Sequence, residues 1–219
     1  MTSRRLTMFS LVAGVVLAGP LTTAVPSAVA GTITSDGAIY SLTYTVGATA
    51  GGNTTYDITL TDNTSGLTGL KGTAPFHIVA VAIQVWTGGR SRVVSAALGS
   101  APGGVSDWTL HKGGTDGGGC DGTGNFYCAG ANSLGTFNQV PTSTLLTWVF
   151  DIKIPTGDLA TGTDKSDIKA VYDGSTGTFA GVQLSESITL TQVPEPASMA
   201  LLGTALLGAY GLLRRKLRA

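Results

Sequence analysis

From Leu146 to Ile154 the chain reads Leu-Thr-Trp-Val-Phe-Asp-Ile-Lys-Ile, with Leu146, Trp148, Phe150, Ile152 and Ile154 at every second position. Successive side chains of an extended strand point to opposite faces, so this spacing gathers five large apolar groups on one side. A helix of the same residues would scatter them around its axis. Thr147, Asp151 and Lys153 fall on the other side and suit water. Pro155 then stops the pattern. A strand with one apolar face is unstable alone, and a second sheet must cover that face.

The same period recurs through the middle of the chain, and sustained helical periodicity does not. Tyr40, Leu42, Tyr44 and Val46 share one face, as do Tyr56, Ile58 and Leu60, with a Gly51-Gly52-Asn53 turn between them. Val79, Val81, Ile83 and Val85 alternate with the equally apolar Ile78, Ala80 and Ala82, which predicts a central strand covered on both faces. Shorter patterns at Val93–Leu98, Asp107–His111, Ile168–Tyr172 and Val182–Thr191 complete the set. The 32 glycines and 12% charged residues fit such a turn-rich β protein. The expectation is a mostly β domain over 31–192, an antiparallel two-sheet sandwich of eight or nine strands, immunoglobulin-like or jelly-roll in kind.

The two ends read differently. Arg4 and Arg5 precede an apolar run to Ala18, Pro20 and Pro26 break it, and Ala28-Val29-Ala30 offers small residues for cleavage before Gly31. Residues 1–30 therefore read as a secretory signal peptide with a signal helix, taking the general secretory route. At the other end come Val193-Pro194-Glu195-Pro196, an uncharged run from Ala197 to Leu213, and the cations Arg214, Arg215, Lys216 and Arg218. As a helix the 17-residue run is about 26 Å long, the short end of what crosses a hydrocarbon core of ~30 Å. Its small residues, such as Thr204, Ala205, Gly208 and Ala209, dilute the leucines. The cations following it should stay cytoplasmic and leave the domain outside.

This C-terminal arrangement over 193–219 resembles the PEP-CTERM sorting signal of Gram-negative, exopolysaccharide-producing bacteria. The resemblance implies an exosortase as partner, alongside the secretion machinery. It implies a transient inner-membrane anchor through 197–213 with the domain in the periplasm, then cutting near the Pro-Glu-Pro triplet and transfer to the cell surface or extracellular matrix. A plain single-span anchor is the competing reading. A fainter similarity to other such proteins lies in Trp108-Thr109-Leu110, the two-cysteine loop, Trp148-Val149-Phe150-Asp151 and Ile168-Lys169-Ala170, and it implies no activity.

With both ends set aside, residues 31–193 hold seven Lys and Arg against twelve Asp and Glu, a balance near −5 that disfavours nucleic acid as a partner. Cys120 and Cys128, the only cysteines, lie in a Gly-rich loop over 113–130 and should form a disulfide in an oxidising compartment. Asp116, Asp121 and Asn125 in that loop are oxygen donors for Ca²⁺, though without EF-hand spacing, and solvated turn residues are the simpler reading. Gly117, Gly119 and Gly122 spell a dinucleotide fingerprint with no following helix, a chance match. No Gly-x-Ser-x-Gly elbow occurs and no carboxylate pair is marked, so no catalytic residue and no cofactor is assigned.

The leading expectation is a non-enzymatic surface or matrix protein associated with exopolysaccharide or biofilm. The alternatives are a polysaccharide-binding module that stacks sugars on Trp108, Phe126 or Tyr127, and, more weakly, a secreted hydrolase. Against stacking stands a small apolar cluster beneath the Cys loop that would absorb those rings.

Overall fold

The structure, a computed structural model, describes residues 28–70, 74–116, 119–120, 122–140, 145–160, 165–174 and 179–192. Both expected helices, in 1–30 and 197–213, fall outside the described residues apart from Ala28–Ala30, which are extended. So do the sorting residues Val193–Pro196 and the cations from Arg214 onward. Among the described residues no helix is long and apolar enough to cross a membrane.

Among the described residues eleven strands form: β1 (Ala28–Ser35), β2 (Ala38–Ala50), β3 (Asn53–Asn63), β4 (Phe76–Gln84), β5 (Ser95–Ser100), β6 (Trp108–Lys112), β7 (Tyr127–Ala131), β8 (Gln139–Val140), β9 (Leu146–Pro155), β10 (Lys165–Gly174) and β11 (Phe179–Gln192). All described pairings are antiparallel. The first sheet runs β5-β9-β3-β2-β1 and the second β11-β10-β4-β7-β6, with β8 beside β4. Strand β11 pairs with β10 as far as Thr189 and with β1 from Leu190 to Gln192, so it passes from one sheet to the other.

One apolar core lies between the sheets, as the alternation requires. Leu42, Ile58, Trp148, Phe150, Ile152 and Ile154 meet Ile78, Val81, Ile83, Ile168 and Tyr172 there. Each large apolar side chain removed from water contributes roughly 1.5–3 kcal/mol, so this shared layer is the dominant stabilising term. The β2–β3 hairpin turns at Gly51 (φ 59°) and Gly52 (φ 75°), two successive positive values that only a primed turn needs and glycine meets without strain.

Strand β4 is covered on both faces, with one correction to its parity. Ala80 pairs with Val171 and Ile78 with Tyr172, so Val79 is an extra, bulged residue. The bulge exchanges the faces: Ile78 joins Val81, Ile83 and Val85 in the main core, while Val79 packs with Ala80, Ala82, Cys128 and Val171 on the outside. A uniform period of two assigns Ile78 and Val79 to the wrong sides because it allows no inserted residue. Strand β7 is a further departure: Tyr-Cys-Ala-Gly-Ala carries no alternation, yet these residues, all but Ala131 within the expected 113–130 loop, form a strand. The expected cleavage before Gly31 falls inside β1, and all three positions paired with β11 lie on the leader side of it.

Candidate functional site

The Cys loop connects β6 to β7 and folds back over the second sheet. Gly113 N–H donates to Phe126 O (3.0 Å), Gly114 N–H to Thr123 O (3.2 Å) and Gly122 N–H to Gly114 O (3.1 Å), so the segment is a laddered hairpin. At Gly113, φ is 135° and a Cβ would come within 2.3 Å of Gly122 O, a close approach that only glycine permits. Cys120 and Cys128 are joined as a disulfide with Cα atoms 5.6 Å apart, which ties the loop to β7. Beneath it lies an outer apolar cluster of Ala80, Ala82, Cys128 and Val171, with Phe126 and Cys120 against it.

The rings proposed for sugar stacking are distributed by this arrangement. Trp108 is 4% exposed, packs edge-on against Trp148 (5.2 Å) and Phe137 (6.2 Å), and donates its Nε1–H to Pro102 O at 2.8 Å. Tyr127 is also 4% exposed and meets Trp86 edge-on at 5.6 Å. Both belong to the main core, so neither of these two rings is exposed for stacking. Phe126 is half-buried in the outer cluster, and Lys169 Nζ sits 4.8 Å from its ring centre. The apolar cluster beneath the loop is therefore present and takes Phe126 alone.

The oxygen donors considered for Ca²⁺ are also spoken for or dispersed. Asn125 Oδ1 accepts the Arg90 backbone N–H at 3.1 Å. Asp116 is exposed, with its backbone bridged to Gly119. Asp121 lies outside the described residues. Among the described residues no three His, Cys, Asp or Glu side chains gather as a metal site would. The two histidines lie apart: His111 is exposed on β6, and His77 on β4 is buried, its pKa lowered by desolvation and partly restored by Asp173.

Two constellations appear that the sequence reading did not assemble. The first is a cleft of about 550 Å³ lined by Arg90, Ser91, Val93, Lys112, Asn125 and Tyr127. Arg90 and Arg92 share one 3-10 turn (Arg90–Arg92), but Arg92 Nε is bonded to Asp158 Oδ2 at 2.7 Å. Arg90 and Lys112 form no salt bridge among the described residues. Burial pushes the Tyr127 phenol up, and the Arg90 charge draws it back down. No sequence signal links residues 90, 112 and 125, because only the fold brings them together.

The second is a buried polar chain across the core. Tyr172 O–H donates to Asp62 Oδ2 at 2.8 Å, and Tyr40 O–H, the remaining hydrogen, donates to the Tyr172 oxygen. Asp62 is fully buried and its Oδ1 has no hydrogen-bond partner among the described residues. Desolvation raises its pKa from 3.8 to about 7, with the Tyr172 hydrogen bond opposing the shift. A signal for Asp62 did exist, since it continues the inward parity of Tyr56, Ile58 and Leu60. On the outer face of the first sheet, Asp57 and Asp151 stand opposite each other, and the Asp151 carboxyl is pushed up by desolvation first and by Asp57 second.

Strand β11 ends at Gln192. A family model for the PEP-CTERM protein-sorting motif matches residues 192–216. This chain carries a PEP-CTERM sorting motif. The motif implies export, a C-terminal membrane anchor before processing, and an exosortase as the processing partner. The match leaves the β domain outside it, and no curated protein and no solved structure matches the chain.

Proposed function

We propose that the β domain is a non-enzymatic passenger, delivered by exosortase processing to the cell surface or extracellular matrix, where it associates with exopolysaccharide. The observation that carries the reading is the sorting motif at 192–216, which begins at the last residue of β11. The link between domain and motif is therefore short, and cutting near Pro194–Pro196 releases the domain with all its strands. The disulfide suits a domain that works outside the cell. The cations after Leu213 hold the anchor with the domain on the periplasmic side until it is cut.

The test is deletion of Pro194, Glu195 and Pro196 followed by fractionation of the producing cells. The altered chain is expected to accumulate in the inner membrane, while the natural chain reaches the surface or the medium. Equal release of both chains would contradict the proposal.

A further inference from the structure

We propose that the cleft between the Arg90–Arg92 turn and the Cys loop binds the anionic group of an acidic saccharide. This deepens the proposed function and rests on it for the setting, while the site itself rests on the fold. The mature domain is acidic overall, yet four of its seven cations, Arg90, Arg92, Lys112 and Lys169, stand on the turn and around the Cys loop. Asp158 neutralises Arg92 at 2.7 Å, whereas the charges of Arg90 and Lys112 face the cleft. Two cations lining one concave site favour a bound anion, and the site's shape focuses their field.

The chemistry of the lining narrows the ligand. Ser91, Asn125 and Tyr127 supply hydroxyl and amide groups suited to a polyhydroxylated molecule, and Val93 supplies a small apolar surface for the carbon face of a sugar ring. Arginine holds a carboxylate or sulfate in a forked pair of hydrogen bonds, while lysine acts as a point charge. The volume, about 550 Å³, is that of a small-ligand site and admits a short stretch of polymer through its open side.

The site is also held ready. The Arg90 N–H to Asn125 Oδ1 bond (3.1 Å) joins its two walls, and the disulfide fixes the loop that carries Asn125. Arg90 Nη1 lies 3.8 Å from where a Cβ on Gly113 would stand, so the guanidinium rests against the loop backbone. Tyr127 is braced by Trp86 from behind. A preorganised site loses less freedom on binding, which favours affinity.

The experiment titrates the full chain, purified in non-ionic detergent, with polygalacturonate, dextran sulfate and neutral dextran. Binding to an acidic polymer and not to neutral dextran is expected, weakening as salt is added. The double variant Arg90→Ala/Lys112→Ala should lose at least tenfold in affinity, and Lys112→Glu, at an exposed position, should behave alike. Lys153→Ala, which removes one cation from the outer face of β9 and does not line the cleft, should bind as the natural chain does. The tighter of the two acidic polymers identifies the bound group as carboxylate or sulfate. Failure of both acidic polymers to bind, equal binding of neutral dextran, unchanged affinity in the double variant, or equal weakening by Lys153→Ala would overturn the proposal. None of these outcomes touches the sorting test, so a failed cleft and a failed delivery are told apart.

Discussion

Replacing Asp62 by asparagine should remove a pH dependence of stability that the buried carboxyl imposes. Asp62 lies fully buried, with one oxygen accepting from Tyr172 and the other without a partner among the described residues. Desolvation lifts its pKa to about 7 in the fold, against an ordinary 3.8. The folded state thus holds a proton that the unfolded chain releases. Stability is full below pH ~4, declines as pH rises, and levels off above pH ~7. At ~1.4 kcal/mol per pH unit across that interval, the loss is about 4 kcal/mol. Asparagine keeps an acceptor for Tyr172 and carries no charge. Urea unfolding of the natural and Asp62→Asn chains between pH 4 and pH 8 measures the difference, and His77 and the surface carboxylates cancel in the comparison. The natural chain should lose stability relative to the variant by about 4 kcal/mol across this range. Parallel curves, or a natural chain that gains on the variant as pH rises, would refute the reasoning.

Three further outcomes follow from the packing. Ile78→Ala should cost about 2–5 kcal/mol because it opens the main core, while Val79→Ala, at the bulge, should cost under about 1.5 kcal/mol; thermal melts that rank them the other way would restore the uniform alternation. Replacing Cys120 and Cys128 by serine releases a loop with a sequence separation of 8 residues, worth about 2.5 kcal/mol in the chain-entropy model, and denaturant midpoints with and without reductant report it. Processing before Gly31 removes every residue of β1 paired with β11, so amide exchange at Thr191 and Gln192 should be faster in the processed chain than in the unprocessed one.

Much of the fold is legible in the alternation, and the exceptions have physical reasons. Strand β9 follows its pattern without a break, and Trp148 and Phe150 are buried as that pattern requires. Strand β4 departs from it at one inserted residue, which the side chains of Ile78 and Val79 do not announce, since both are branched and apolar. Strand β7 is hidden because its small residues serve the disulfide and the outer cluster rather than an apolar face. The disulfide was readable from two cysteines and an export signal. The cleft was not, because Arg90, Lys112 and Asn125 are brought together by pairing between β6 and β7 and by a single hydrogen bond from the Arg90 backbone N–H to the Asn125 side chain. Trp108 illustrates the opposite error: a ring beside a loop looked available, yet Trp148 and Phe137 enclose it.

The central claim is that the β domain is cut from its anchor and delivered. Intact-mass measurement of the protein recovered from the surface or medium of producing cells tests it most directly. The account predicts a chain ending near Pro194–Pro196, with the apolar run 197–213 and the cations Arg214, Arg215, Lys216 and Arg218 removed. A recovered chain that retains the run through Arg218 would contradict it.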